Sequence, residues 1–333
     1  MRTLLRWLSF CLAVALLLSA AGAAFVVLAP ITLAQDEVEF TVVPGSSLRS
    51  AAREIAAAGV AVEPWVLIVL ARVIGVEASI KAGSYQIARG ITLLELLKKL
   101  TRGDFTQAEL AFIEGWTFAQ MRARLDGHPD LRHETVGLPE AEIMRRLGAP
   151  GRPAEGGFFP DTYLFAKRSS DLELLARAQR AMQRHLAREW PARAAGLPYR
   201  EPYQALILAS IIEKETGRDA DRSLVAAVFV NRLRRGMPLQ TDPSVIYGLG
   251  EKFDGNLRKR DLLADTPYNT YTRRGLPPTP IAMPGLAALQ AALHPAPSEA
   301  LYFVARGDGS SEFSRTLAEH NQAVTRYQKG GKP

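Results

Sequence analysis

Hydrophobic residues fill the first part of the chain and then give way to short, patterned segments. No charged residue occurs from Trp7 to Gln35, a run of 29 residues, and about 20 apolar residues are enough for a helix to cross a bilayer. Arg2 and Arg6 precede the run, whereas acidic residues follow it. Because basic flanks stay in the cytoplasm, we expect one transmembrane helix, with the rest of the chain on the far side of the membrane.

A cleaved signal peptide is the alternative interpretation of this segment. The apolar region of a signal peptide spans about 7–15 residues, which is shorter than the run observed here. The sequence Thr32-Leu33-Ala34 is only a weak cleavage pattern. The length of the run therefore favours an uncleaved anchor, with a cytoplasmic tip, over residues 1–35.

Residues 36–105 show the pattern of a small α+β unit. Alternating positions predict strands, and serine or threonine residues stand where helices are expected to begin. The predicted elements are a strand at 38–43, helices at 46–58 and 64–74, a strand at 82–87, and a helix that begins at a Thr92–Glu95 capping box. The sequence FTVVPGSSLRSAAREI resembles the opening of a LysM-type carbohydrate-binding module. A plain structural unit is the alternative.

The pattern changes again near residue 106, after which helical spacing dominates. We predict a mixed α/β domain over residues 106–333. The predicted elements are a strand at 107–113, helices at 117–125, 171–190, 203–216 and 221–234, a strand at 300–305, and a short strand and a final helix beyond it. Asp171 is the predicted cap of the long helix. Residues 128–152 are polar and punctuated by glycine and proline, and they are expected to be variable; residues 239–248 are predicted as a polar turn.

Two carboxylates interrupt the apolar helix predicted over residues 203–216. A carboxyl on an apolar face loses hydration, so its pKa rises and it can hold a proton at neutral pH. Cleavage of a bond between two sugars requires such a proton donor. Glu213 and Glu215 lie about 200° apart around the helix, so they cannot serve one bond together. Glu215 shares its side with the bulky residues Leu208 and Ile211, which makes it the stronger candidate for a general acid.

Composition narrows the choice of partners and cofactors. A formal net charge of +7 suits an anionic partner such as a cell wall or a membrane surface. No pattern typical of nucleic-acid-binding modules occurs, so we expect no nucleic acid. The five histidines lack metal-ligand spacing and the single cysteine, Cys11, lies in the predicted span. We therefore expect no metal, no cofactor and no intrachain disulfide.

Four blocks in the second half of the chain carry a family resemblance, which is densest from Ala205 to Asn321. The blocks, in order, are EKET, VNRLRRGMPLQTDPSVIYGLG, TPYNTYTRRGLPPTPIAMPG and HPAPSEALYFVARGDGSSEFSRTLAEHN. In these blocks the chain resembles the endolytic murein transglycosylases, also called MltG-like or YceG-like proteins. The resemblance extends over almost all of the chain after the N-terminal segment.

The resemblance implies a lytic transglycosylase anchored in the cell inner membrane, with a cytoplasmic N-terminus and a periplasmic catalytic domain. Such an enzyme cleaves the MurNAc-GlcNAc β-1,4 bond of nascent peptidoglycan strands, leaves 1,6-anhydro-MurNAc ends and terminates glycan elongation. The resemblance places the catalytic acid/base at Glu215. It also implies a partner in the wall-synthesis machinery, such as a penicillin-binding protein.

Contacts with the substrate are expected from polar and aromatic side chains that follow the central helix. The candidates are Gln240, Thr241, Asp242, Tyr247, Asn269 and Tyr271. Each of them could instead cap a turn or fill the core, and Asp242 is a rival catalytic carboxylate. Glu213 is expected to be structural, paired with an arginine. His320 and Asn321 are candidates to close the site from the C-terminal end.

Two other functions remain open at this point. The first is a hydrolytic muramidase that uses Glu215 together with Asp242. The second is a non-catalytic scaffold that binds the cell wall through the LysM-like unit. The products separate the three, because anhydro ends differ from reducing ends by one water molecule and a scaffold cleaves nothing.

Overall fold

The computed structural model describes residues 2–43 and 45–329. It divides into two compact units. The first unit comprises residues 1–109 with the returning segments 130–132 and 164–169. The second unit comprises residues 110–129, 133–163 and 170–333. The first unit therefore includes two short segments that come from within the predicted catalytic region.

The first unit combines a long N-terminal helix with a small α+β fold. Its elements are α1 (Arg2–Leu28), β1 (Glu37–Val42), α2 (Leu48–Ala57), α3 (Pro64–Ile74), β2 (Gly83–Ala88) and α4 (Leu93–Arg102). Strands β1 and β2 are antiparallel, with Glu37 opposite Ala88. Thr92 and Glu95 form the predicted capping box. Within α1, Phe10–Leu28 is long and apolar enough to cross a membrane, with a mean hydropathy of 2.6.

Alternation along β1 determines the core of the first unit. Val38, Phe40 and Val42 are buried while the residues between them face outward, as expected for a strand with one covered face. Tyr85 of β2 is fully buried and stacks on Phe40, with ring centroids 5.6 Å apart. Helices α2 and α4 cover the same face of the sheet with their buried leucine, isoleucine and alanine side chains.

The remaining elements are mostly helical. They are β3 (Gln107–Ala111), α5 (Phe118–Asp126), α6 (Glu140–Arg146), β4 (Thr162–Ala166), α7 (Asp171–Glu189), α8 (Pro202–Glu215), α9 (Asp219–Arg234), α10 (Asp242–Leu249), α11 (Lys259–Leu263), α12 (Leu286–Leu293), β5 (Tyr302–Ala305), β6 (Ser311–Ser314) and α13 (Leu317–Val324). In the described residues, the strands pair two by two, as β1–β2, β3–β4 and β5–β6. The predicted α+β class is confirmed.

Helix α8 is the centre of the second unit. Every residue from Ala205 to Ile212 is buried, as expected for a helix that is apolar all round. It packs against α12 and α9, and these three helices supply most of the core. The two glutamates therefore stand at the end of a fully enclosed helix, where the chain emerges from the core.

Several predictions of local structure were wrong. Residues 239–248 are not a turn, because Asp242 begins α10 and Pro243 occupies its first turn, where proline needs no hydrogen-bond partner. Helices α6 and α12 were not predicted. Helix α6 lies in the polar segment 128–152, and helix α12 is apolar except for Gln290, so it has too little polar surface to give a periodic signal. The cap of α7 is Ser170, whose hydroxyl accepts from the Leu172 amide, whereas the predicted cap Asp171 is the first helical residue.

Candidate active site

Glu215 is the last residue of α8, and its carboxyl enters a cavity of about 350 Å³. Burial raises the pKa of Glu215, and the nearby negative charge of Asp242 acts in the same direction. The hydrogen bond from Thr241 and the charge of Arg232 oppose the increase. The net effect is a higher pKa, which is the direction required of a carboxyl that acts as a general acid.

Side chains from seven parts of the second unit form the wall of this cavity. They come from the end of α8, from α9, from the segment before α10, from the first residue of α10, from the loop that carries Tyr271, from β5 and from α13. The lining residues are Glu215, Phe229, Arg232, Leu239, Gln240, Asp242, Tyr271, Tyr302, Phe303, Leu317 and His320. The volume lies at the lower end of the range of small-ligand pockets, about 300–1,000 Å³.

The segment before α10 brings Thr241 against the catalytic candidate. The hydroxyl of Thr241 donates a hydrogen bond to Oε1 of Glu215. The Thr241 amide donates to Oγ1 of Thr270 at 3.0 Å, and the Gln240 amide donates to the Thr270 carbonyl at 3.0 Å. Gln240 has φ +54°, a left-handed conformation that is uncommon for a residue with a side chain. The backbone here is therefore held by a second segment rather than by local preference.

Arg232 supports the same segment from α9. Its Nε donates to the carbonyl of Leu301 at 2.7 Å, and its Nη1 donates to the carbonyl of Leu239 at 2.9 Å and to Oε1 of Gln240 at 3.2 Å. Burial lowers the pKa of Arg232, although its guanidinium remains charged. A buried arginine that binds carbonyls on two segments fixes their separation.

Asp242 and Tyr271 form a second polar pair at the cavity. The hydroxyl of Tyr271 donates to Oδ1 of Asp242 at 2.5 Å. Burial and the charge of Asp242 raise the pKa of Tyr271, so the phenol stays protonated. On the opposite wall His320 stacks on Tyr302, with ring centroids 5.2 Å apart. His320 thus lies where a C-terminal closing residue was predicted, whereas Asn321 is not among the lining residues.

Glu213 has a different environment from Glu215. Its Oε2 accepts a hydrogen bond from the Gly285 amide at 2.9 Å, and Gly285 is the N-cap residue of α12. Burial raises the pKa of Glu213, and the charge of Glu114 adds to this effect. The expected partner was an arginine, but the hydrogen-bond partner is the start of a helix. The angle of about 200° between the two glutamates around the helix correctly predicted that they face different surroundings.

Tyr247 and Asn269, both predicted to contact the substrate, do not line this cavity. The amide of Asn269 is fully buried and donates to three carbonyls, of which the nearest is Ala264 at 2.7 Å. Its Oδ1 accepts from the Tyr271 amide at 2.9 Å. The polar atoms of Asn269 are therefore hydrogen-bonded within the loop that carries Tyr271 and do not face the cavity.

Tyr247 instead contacts the buried carboxyl of Glu155, a residue that was not predicted to have a functional role. The hydroxyl of Tyr247 donates to Oε2 of Glu155 at 3.1 Å, and the amide of Phe118 donates to Oε1 of Glu155 at 3.1 Å. Burial raises the pKa of Glu155 to about 7 against these hydrogen bonds. The available signal was a lone acid directly before Gly156-Gly157 and a run of aromatic residues.

Arg232 and Tyr302 were also missed. Arg232 is one of three arginines within Asn231–Arg235, and the sequence does not distinguish the buried one from the solvated ones. Tyr302 contacts the site only because β5 returns beside α9. Among the described residues, no group of three or more His, Cys, Asp or Glu side chains is arranged to hold a metal ion.

The fold and the cavity together define an α+β protein with a half-buried carboxyl, that of Glu215, at the wall of a ligand-sized cavity. A statistical model of the YceG-like family matches residues 40–326. The chain therefore belongs to the YceG-like family.

Relatives of known name support the assignment. The chain is 34% identical over 264 residues to the endolytic murein transglycosylase of Bacillus subtilis strain 168, covering 74% of this chain and 73% of that protein. It is 29% identical over 283 residues to the endolytic murein transglycosylase of Streptococcus pneumoniae strain D39, covering 74% of this chain. The chain spans about half the length of the pneumococcal relative, 51%.

A solved structure has the same fold. The crystal structure of a yceG-like protein from Listeria monocytogenes superposes with a TM-score of 0.56 at 30% identity. The superposition covers 86% of this chain and 98% of that one.

Proposed function

We propose that this protein is an endolytic lytic transglycosylase that cleaves peptidoglycan between MurNAc and GlcNAc and leaves 1,6-anhydro-MurNAc ends. The observation that carries the proposal is the half-buried carboxyl of Glu215, which lines the cavity with a raised pKa and a hydrogen bond from the hydroxyl of Thr241. The names of the relatives from Bacillus and Streptococcus support the choice of substrate.

The reaction needs one group that gives and then takes a proton. Glu215 donates its proton to the glycosidic oxygen as the bond from that oxygen to C1 of MurNAc breaks. The 6-hydroxyl of the same MurNAc then attacks C1, and Glu215 accepts the proton of that hydroxyl. Since the nucleophile belongs to the substrate, no water is consumed and no second carboxylate is required.

The other residues at the cavity hold Glu215 and the sugar in place. Thr241 orients the carboxyl of Glu215 through its hydroxyl. Gln240 and Asp242 line the cavity with groups that can bind sugar hydroxyls, and Tyr271 positions Asp242. Asn269 contributes indirectly, because its amide holds the backbone of Tyr271.

A hydrolytic muramidase is the second candidate, because Asp242 lines the same cavity as Glu215. Mass spectrometry of the products formed from uncrosslinked glycan strands tests the proposal. Anhydro ends are expected. Products heavier by one water molecule would identify the hydrolase, and uncleaved strands that remain bound would identify a scaffold.

The length and apolar character of α1 support a proposal about where the protein lies in the cell. We propose that α1 anchors the protein in the cell inner membrane as a single pass, with the N-terminus in the cytoplasm and the catalytic unit in the periplasm. There it would terminate nascent strands beside a penicillin-binding protein, with the LysM-like first unit binding glycan. A reporter fused after Pro333 should be active only outside the cytoplasm, and a soluble mature form that begins near Gln35 would refute the anchor.

A further inference from the structure

Helix α3 of the first unit is unusually apolar for an exposed helix. Arg72 is its only charged residue. Only Leu67 and Ala71 are buried, whereas Trp65 and Val73 have 64% and 79% of their surface exposed. Single exposed apolar residues are normal on protein surfaces, but a contiguous apolar face marks an interaction site.

The exposed side of α3 faces the end of α1. The two helices border a groove of about 690 Å³ whose lining side chains are all apolar. The lining residues are Gly22, Ala23, Ala24, Val26, Val27 and Leu28 of α1 with Trp65, Val66, Val69, Leu70 and Val73 of α3. The apolar surface of α3 is therefore continuous with the last two turns of α1.

The chain between α1 and the first unit is held in place. The amide of Ile31 donates to the carbonyl of Ile91 at 2.7 Å. The amide of Ala34 donates to the carbonyl of Gly59 at 2.9 Å, and the amide of Ala61 donates to the carbonyl of Thr32 at 2.9 Å. These hydrogen bonds begin three residues after the end of α1, so no free linker separates α1 from the small fold.

The position of the groove beside α1 indicates that lipid covers it. The residues on its α1 side belong to the Phe10–Leu28 segment, which is long and apolar enough to cross a membrane. When that segment spans a bilayer, lipid contacts the side of α1 on which α3 lies. Trp65 suits this level, because tryptophan is enriched at membrane–water interfaces. The charged groups lie at the two ends of α3: Glu63 precedes the helix, and Arg72, in its last turn, pairs with Glu77 at 3.2 Å.

We propose that α3 and the last two turns of α1 form one lipid-facing surface, which seats the first unit directly on the bilayer. The exposed side chains Trp65, Val69 and Val73 then enter the boundary between headgroups and acyl chains, as those of an interfacial helix do. This proposal depends on α1 spanning the membrane and is independent of the chemistry at Glu215.

Spin labels in the full-length protein test the proposal. In a Cys11→Ser background, the variants Val69→Cys and Val73→Cys are labelled and reconstituted in vesicles of phosphatidylcholine and phosphatidylglycerol. Arg53→Cys on α2 is the matched control, because Arg53 is an exposed residue of the same unit. Collision rates are measured with oxygen, which concentrates in the bilayer, and with a water-soluble nickel chelate.

Labels at positions 69 and 73 should show an oxygen-to-nickel collision ratio several-fold higher than the label at position 53. Equal nickel access at all three positions would overturn the proposal. Protection of positions 69 and 73 from both reagents would also overturn it, since protein rather than lipid would then cover the helix. As a second readout, lipids with brominated acyl chains should quench the wild-type fluorescence more than that of Trp65→Phe.

Discussion

The hydroxyl of Thr241 donates to the carboxyl of Glu215, although Thr241 occupies the N-cap of α10. A threonine at this position ordinarily accepts a hydrogen bond from an amide of the first helical turn, and Thr241 makes no such bond. Helix α10 therefore begins without the usual side-chain cap. The hydroxyl of Thr241 instead connects the start of α10 to the end of α8. In this position it can determine both the orientation and the pKa of the Glu215 carboxyl.

The two glutamates of α8 should have separable effects. Glu215→Gln keeps the shape and removes the transferable proton, so transglycosylase activity should fall by a factor of about 10²–10⁴ or more. Glu213→Gln keeps an oxygen that can accept from the Gly285 amide, so it should fold and retain activity. The measurement is the rate of release of anhydro-muropeptides by both variants.

Thermal melts provide the control for this pair. Glu213→Ala removes the acceptor at the start of α12 and should lower the free energy of unfolding by about 0.5–2 kcal/mol. Its activity should survive below the melting transition. A folded Glu213→Gln protein that releases no anhydro products would show that the catalytic carboxyl had been assigned to the wrong residue.

Substitutions of Thr241 and Asp242 should shift the pH profile in opposite directions. The hydrogen bond from Thr241 lowers the pKa of Glu215, and the charge of Asp242 raises it. In kcat/KM, the alkaline limb reports the pKa of the general acid in the free enzyme. Thr241→Val should therefore move that limb to higher pH, and Asp242→Asn should move it to lower pH.

The same two variants also separate the mechanisms. Thr241→Val should lower kcat/KM by roughly tenfold, because a hydrogen bond to an ionisable group is lost. Asp242→Asn should still form anhydro ends. Shifts of the alkaline limb in the same direction for both variants would contradict the electrostatic account, and loss of all turnover in Asp242→Asn would favour the two-carboxylate hydrolase.

The sequence was most informative where one strong signal acted alone. The apolar run of α8 was long enough to predict the central helix. The helical spacing of Glu213 and Glu215 predicted that they lie on different sides of it. The capping box at Thr92 and Glu95 was confirmed because it needs only four neighbouring residues. Such features depend on local chemistry and are preserved when the chain folds.

Features that depend on distant contacts were not predictable. Asn269 was considered a sugar ligand because its amide is polar, yet the fold turns it inward onto three carbonyls. Asp242 and Pro243 are typical of a turn, but they are equally compatible with a first helical turn. The wall formed by Tyr302 and His320 comes from residues far along the chain, so no local pattern could place it beside Glu215.

Arg232 should be sensitive to a conservative change. Lysine has all its donors on one nitrogen, so it cannot reproduce the fork in which Nε and Nη1 of the guanidinium bind the Leu301 and Leu239 carbonyls. Because buried carbonyls would lose partners, Arg232→Lys should lower the free energy of unfolding by about 2–3 kcal/mol. Denaturant unfolding of the full-length protein in detergent measures the change.

Arg234→Lys is the matched control on the same helix. Arg234 is exposed and binds the carbonyl of Gly196, at 2.9 Å through Nη2, so its replacement should change stability by no more than about 0.5 kcal/mol. Equal stability of the two variants would mean that the network around Arg232 does not hold the segment before α10.

Glu155 should make the stability of the folded protein depend on pH. Its pKa is raised from 4.5 to about 7 by burial, so the folded state binds a proton that the unfolded state has released. The protonated form therefore contributes its full effect below pH 4.5, and this contribution is lost as the pH rises towards and through 7. The difference amounts to at most about 3 kcal/mol.

Glu155→Gln cannot ionise, so the fall in the free energy of unfolding between pH 5 and pH 8 should be smaller in this variant than in the wild type. Glu251→Gln, at an exposed position, should follow the wild-type curve. Parallel curves for the wild type and Glu155→Gln would show that the carboxyl of Glu155 is already ionised in the folded protein and that the contacts with Phe118 and Tyr247 outweigh its burial.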